Sequence, residues 1–171
     1  IPNSVKVIEK KAFYGCTSLS EITIPSSIKT IYESTFKECA SLVKINLPSS
    51  LRLIEKFVFS GCSSLKNISI PSSVTKIGGW AFENCKDLFQ ITIPSSMNEI
   101  DENLFIQCSS LTEVDIPNSI TKIGDYSFSG CTSLVSISIP SSVNEIGNFT
   151  FRGCSQLKKI KLNIAQTKIS P

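Results

Sequence analysis

Histidine does not occur anywhere in the sequence. Its absence removes the side chain most often used as a general base and as a metal ligand. Charged residues are also scarce, at 18%, while 41% of the chain is hydrophobic, a balance that excludes an intrinsically disordered polymer. No apolar run approaches the roughly 20 residues of a membrane-spanning helix, so membrane insertion of that kind is not expected. There is no C-x-x-C pair, no phosphate-binding loop and no dinucleotide-binding glycine pattern. The carboxylates Asp101, Glu102 and Asp115 have no histidine to work with, and no serine has a base beside it. These absences argue for a non-enzyme without cofactor or metal. The formal charge of +3, from 17 Lys+Arg and 14 Asp+Glu, is too small to indicate nucleic acid or a membrane surface as partner.

What is present is a repeat. The 171 residues are one domain's worth of chain on length alone. Pro2, Pro25, Pro48, Pro71, Pro94, Pro117 and Pro140 lie 23 residues apart. All seven cysteines keep the same period, from Cys16 to Cys154, as do seven phenylalanines (Phe13 to Phe151) and seven leucines (Leu19 to Leu157). The units run 2–24, 25–47, 48–70, 71–93, 94–116, 117–139 and 140–162, without insertion or deletion. Such strict length is what a stacked coil requires, because each residue must sit on its counterpart one turn away. Residues 163–171 leave the pattern as a tail. Because the chain opens inside a unit and carries no signal peptide, it is expected to be a fragment of a longer protein.

Each position in the unit has a physical task. In the fourth unit Ile91 and Ile93 alternate with Thr92, so a short strand there turns two apolar side chains inward and one polar side chain outward. Equivalent strands stacked about 4.8 Å apart give a parallel sheet of seven strands, roughly 30 Å long. Pro94 and its counterparts end the pairing, since proline has no N–H to donate. The Pro-Ser-Ser or Pro-Asn-Ser that follows makes a turn, and its second serine (Ser4 to Ser142) is placed to satisfy backbone groups at that corner. A second apolar set, such as Val74 and Ile77, forms the opposite wall in short strands or extended segments. Gly78, Gly124 and Gly147 suggest a tight bend after it. The phenylalanines are expected to stack as a buried column.

The cysteines sit between Phe and Leu of the same unit, an inward setting in which a free thiol behaves as a small hydrophobe. Seven buried, reduced thiols are therefore expected. Disulfides between neighbouring coils are the alternative. Ligands from a single column do not close a tetrahedron around a metal ion.

The unit P-x-S-V-x-x-I-G-x-x-A-F-x-x-C-x-S-L-x-x-I-x-I resembles the BspA-like, or Treponema pallidum type, leucine-rich repeat. The sixth unit carries it as Pro117-Asn118-Ser119-Ile120, Ile123-Gly124, Ser127-Phe128, Cys131, Ser133-Leu134, Ile137 and Ile139, with Ser127 in place of the usual alanine. The resemblance spans residues 1–162. It implies a leucine-rich repeat solenoid, of the α/β-horseshoe class but β-rich. The coil is right-handed and curved, with a parallel sheet of about seven strands on the concave face and short strands or turns on the convex face. It further implies a cell-surface or extracellular protein acting in adhesion; with no signal peptide in this chain, a cytoplasmic location stays open.

In a solenoid the repeated positions pack and the variable outward positions carry recognition. The candidate concave-face residues are Glu21, Thr23, Lys44, Asn46, Asn67, Phe89, Gln90, Thr92, Glu113, Asp115, Lys159 and Lys161. Phe89 either forms a hot spot, folds over its neighbours or sits in a contact with a flanking segment; it faces out only if the strand begins after it. A second column, Lys11, Ser34, Phe57, Trp80, Asn103, Tyr126 and Phe149, is expected on the side opposite the sheet. Its rings either pack against adjacent coils or form an exposed patch. Arg152, Lys158, Lys159, Lys161 and Lys168 make a basic end, suited to acidic ligands or to solvating an edge. The leading function is a protein- or glycan-binding module, and the alternative is a structural spacer with no ligand. Each end coil exposes an unpaired strand edge, so fraying or end-to-end self-association is expected, above all at the N-terminal coil.

Overall fold

The isoleucines that alternate with polar residues ahead of each proline build short strands. The computed structural model describes residues 1–162, which wind as a parallel β-solenoid with no helix among the described residues. Among the described residues twelve strands, numbered along the chain, lie on two walls. The first wall holds β1 (Glu21–Thr23), β3 (Lys44–Asn46), β6 (Gln90–Thr92), β8 (Glu113–Asp115), β10 (Ser136–Ile139) and β12 (Lys159–Leu162). The opposite wall holds the two-residue strands β2 (Thr30–Ile31), β4 (Leu53–Ile54), β5 (Lys76–Ile77), β7 (Glu99–Ile100), β9 (Lys122–Ile123) and β11 (Glu145–Ile146).

Every strand pair is parallel and offset by one repeat, as in Glu21↔Lys44, Gln90↔Glu113 and Ser136↔Lys159. The sheet of about seven strands is present as six, hydrogen-bonded in three pairs: β1 with β3, β6 with β8, and β10 with β12. In the third unit Asn67–Ser69 forms no ladder, although Ile68 is buried like its counterparts. The opposite wall forms two three-stranded pieces, β2-β4-β5 and β7-β9-β11.

Ladders at the corners run on where the sheet is broken. From Phe13 to Phe128 the amide of the ring-bearing residue donates to the next coil: Phe13 to the Thr35 carbonyl (2.9 Å), Phe59 to Ala81 (2.8 Å), Phe105 to Ser127 (2.8 Å). Each proline carbonyl accepts the amide three residues on, as Pro94 does from Met97 at 3.0 Å, which closes the predicted turn. The corner serines donate to the preceding coil, with Ser27 Oγ on the Val5 carbonyl (2.6 Å) and Ser73 Oγ on that of Leu51 (2.6 Å). Ser119 Oγ is buried without a partner. The phenylalanines form an unbroken column with centroids 5.2 to 5.9 Å apart. The rings from Phe36 to Phe128 are fully enclosed.

The cysteine column departs from expectation at its ends. All seven are free thiols, but Cys16 is exposed and Cys154 is half-buried; the five between are buried. Each thiol from Cys39 onward donates to the carbonyl of the phenylalanine in the preceding coil, Cys62 to Phe36 at 3.1 Å and Cys108 to Phe82 at 3.1 Å. Cys16 makes no such bond among the described residues. Burial pushes the Cys39 thiol up to about 11, and raises those of Cys62, Cys85, Cys108, Cys131 and Cys154.

The glycine expectation is corrected. Gly78, Gly124 and Gly147 do not have positive φ. They are sites of close approach: a Cβ on Gly78 would lie 2.7 Å from Lys56 N, and one on Gly124 2.6 Å from Glu102 N. The left-handed bend comes two residues later, at Lys11, Ser34, Phe57, Trp80, Asn103, Tyr126 and Phe149, with φ between 55° and 61°. A second left-handed column, Gly15, Glu38, Gly61, Asn84, Gln107, Gly130 and Gly153, closes the same corner.

Both end coils expose apolar side chains: Ile1, Val7 and Tyr14 at one end, Ile146, Phe149, Ile160 and Leu162 at the other. The tail, residues 163–171, lies outside the described residues.

Candidate binding face

On the first wall the strand pattern exposed–buried–exposed sets one apolar residue into the core and its two neighbours into solvent, as in Gln90–Ile91–Thr92 and Glu113–Val114–Asp115. All twelve candidate residues are exposed. They do not form a single site. A hollow of about 660 Å³ brings together Gln90, Thr92, Glu113, Asp115 and Lys161, with Thr112, Ser136 and Ser138 between them. Asn67 shares an adjoining hollow of about 370 Å³ with Gln90 and Thr92. Glu21, Thr23, Lys44 and Asn46 lie outside both, where Asn46 Nδ2 donates to Thr23 Oγ1 at 3.0 Å. Lys159 lines neither hollow.

The larger hollow is polar, with two carboxylates on one strand and an ammonium two coils away. No ion pair joins them. Among the described residues the ion pairs are Lys76–Glu99 (3.3 Å) and Lys122–Glu145 (2.8 Å), both on the opposite wall. The charges facing the hollow are therefore open to a ligand. Serines and threonines around them offer donors and acceptors of low bulk. No cluster of three or more potential metal-ligating side chains forms among the described residues.

Phe89 is 40% exposed. β6 begins at Gln90, so Phe89 precedes the alternation and projects outward while Leu88 takes the core place. It belongs to an exposed column with Val43 and Val135 at the edge of the sheet. The other aromatic column packs as a ridge. Phe57 stacks on Trp80 at 5.1 Å and Tyr126 on Phe149 at 5.0 Å. Phe57, Trp80 and Tyr126 are half-buried, and Phe149 is 59% exposed. Arg152, Lys158, Lys159 and Lys161 are exposed at the basic end; Lys168 lies outside the described residues.

Two features were not foreseen. The thiol-to-carbonyl ladder had a visible signal, since alanine or valine would pack as well as cysteine but donate nothing. The left-handed corner had one too, in four glycines at positions 15, 61, 130 and 153.

The family pattern described as BspA type leucine rich repeat region, in six copies, matches residues 1–112 and 102–171. Among solved structures, a leucine-rich repeat protein of T. pallidum is 34% identical with a TM-score of 0.80, the match covering 87% of this chain and 70% of that one. A leucine-rich repeat protein from Bacteroides ovatus is 36% identical, TM-score 0.87, over 91% of this chain and 40% of that one. A leucine rich cell surface protein from Faecalibacterium prausnitzii is 35% identical, TM-score 0.80, over 85% and 39%. The chain thus spans well under half the length of the last two. No curated protein sequence matches it.

Proposed function

The chain belongs to the BspA-type leucine-rich repeat family, and from that premise we propose that it is a non-enzymatic module that binds a protein or glycan at a cell surface through the wall carrying β6 and β8. The observation that carries this reading is the division of labour within the repeat. Inward positions hold Ile or Val in coil after coil, while the exposed positions beside them change from Glu to Lys to Gln to Asp. Packing alone sets no requirement on those exposed positions, so their chemistry is free to match a partner. The hollow at Glu113 and Asp115 is where carboxylates, hydroxyls and the Lys161 ammonium face common space. The similarity to a protein described as a cell surface protein supports the location.

The test is a screen of the 171-residue chain against immobilised extracellular-matrix proteins and a glycan array, beside the variants Glu113→Lys/Asp115→Lys and Phe89→Ala. These exposed substitutions leave the core untouched. Saturable binding to a probe, lost in the charge-reversed variant, is expected. Binding that both variants retain in full contradicts the assignment to this wall. Folded protein that binds no probe favours the spacer.

A further inference from the structure

The two left-handed columns have the same backbone and different residues. The column from Gly15 to Gly153 uses glycine four times and asparagine once, as positive φ favours. The column from Lys11 to Phe149 contains no glycine and holds Phe, Trp, Tyr and Phe at φ 55° to 60°. Bulky rings at positive φ cost backbone energy. Stacking offsets this where rings meet, at Phe57–Trp80 and Tyr126–Phe149. The stack stops on the N-terminal side of Phe57, because the coil before it supplies Ser34, a small residue only 4% exposed. The result is a notch of about 440 Å³, floored by Ser34 and walled by Phe57, Tyr14, Lys11, Lys37 and Glu33.

The notch is charged as well as aromatic. Lys37 Nζ lies 4.7 Å from the Phe57 ring centroid, reaching it from the preceding coil. Neither Lys11 nor Lys37 forms an ion pair among the described residues, although Glu33 stands in the same notch. Tyr14 is 51% exposed.

We propose that this notch is a second binding site, separate from the sheet wall, and that it takes an acidic sugar, a hexuronic acid unit of a glycan. Its carboxylate meets the Lys11 and Lys37 ammoniums as charge-assisted hydrogen bonds. The apolar C–H face of its ring lies on the exposed Tyr14, beside the Phe57 ring that Lys37 covers. Its hydroxyls donate to the Glu33 carboxylate and exchange hydrogen bonds with the Ser34 hydroxyl. Glu33 is what separates this ligand from an acidic peptide. A carboxylate inside the notch calls for hydroxyl donors, which a sugar ring carries and the side chains of an acidic peptide lack. The volume falls in the range of small-molecule sites and suits a sugar unit with its neighbours. The site does not depend on the reading of the sheet wall, and either survives the failure of the other.

The test is a titration of the isotope-labelled 171-residue chain, followed by amide chemical shifts, with trigalacturonate, neutral maltotriose and a triglutamate peptide. Saturable shifts at Lys11, Tyr14, Ser34 and Lys37 are expected with trigalacturonate alone. Lys11→Gln, at an exposed position, and Lys37→Gln, at a half-buried one, are each expected to weaken binding by roughly tenfold, the loss of one charge-assisted contact. Lys86→Gln, at an exposed lysine outside both candidate sites, is expected to leave it unchanged. Absence of saturable shifts overturns the proposal, as do shifts centred on the sheet wall or the basic end. Equal binding of triglutamate overturns the sugar assignment.

Discussion

Phe82 and Cys85 in the fourth coil are completely enclosed, whereas Phe13 and Cys16 in the first, identical residues in identical sequence positions, are half-buried and exposed. Phe151 and Cys154 in the last coil are both half-buried. Only the neighbours differ. A middle coil has its ring stacked on both faces, at 5.4 and 5.6 Å for Phe82, and its thiol bonded to a carbonyl below, Cys85 to Phe59 at 3.2 Å. The first coil has the ring stack on one side and no carbonyl for Cys16. In a stacked repeat, then, the contribution of a residue is made by the coils flanking it, and one sequence motif yields different energies along the array.

The largest effect expected is on the ring column. Phe82→Ala should destabilise by about 3–5 kcal/mol, and Phe13→Ala by about half that or less, because the first ring has one flanking coil to lose. Denaturant unfolding of the two variants checks the difference. Equal losses break the comparison. Next comes the thiol ladder. Cys85→Ala should cost about 1–2 kcal/mol, for a lost hydrogen bond and a small cavity, and Cys16→Ala close to nothing.

The same thiols give stability a pH dependence. Their folded pKa values lie above the ordinary 9.0, so burial favours the neutral form. The stability they contribute is complete below 9.0 and is lost as pH rises through the folded values, about 11 for Cys39. Unfolding free energy should be flat near neutrality with respect to these groups and fall above pH 9.0, with a shallower fall in Cys39→Ala. An alkaline fall of equal slope in that variant removes the assignment.

The smallest effect concerns the aromatic ridge. Trp80 has φ 59° and is half-buried. Trp80→Ala should cost less than Phe82→Ala, and Trp80→Gly less again by about 1 kcal/mol, since glycine is unstrained at positive φ. A glycine variant less stable than the alanine variant shows that the backbone there is not under load.

The fold was legible because the repeat is strict. Pro, Phe, Cys and Leu at a period of 23 announced the coil, its turns and its columns, and the corner serines do bond to backbone as their position suggested. Three things were not legible. Breaks in the sheet, such as the missing ladder at Asn67–Ser69, fall in units whose apolar pattern is the same as that of their neighbours, so the side-chain pattern does not mark them. Gly78 and Gly124 read as bends because positive φ is the commoner reason for glycine; the approach of a neighbouring backbone shows only when the coils are stacked. Cys16 read as buried because the period treats every unit alike, and an end is not a property of the unit. For the candidate binding residues, exposure was readable from alternation. Which of them share a hollow was not, since Asp115 and Lys161 meet across two coils.

The central claim is that flanking coils, and not the motif, set the environment of each repeat position. It is tested most directly by alkylating the native protein and following each cysteine by mass spectrometry. Cys16 is expected to be modified first and Cys154 next, with Cys39, Cys62, Cys85, Cys108 and Cys131 modified only as the solenoid unfolds. Modification of Cys85 as fast as Cys16, or protection of Cys16 to the level of Cys85, contradicts it.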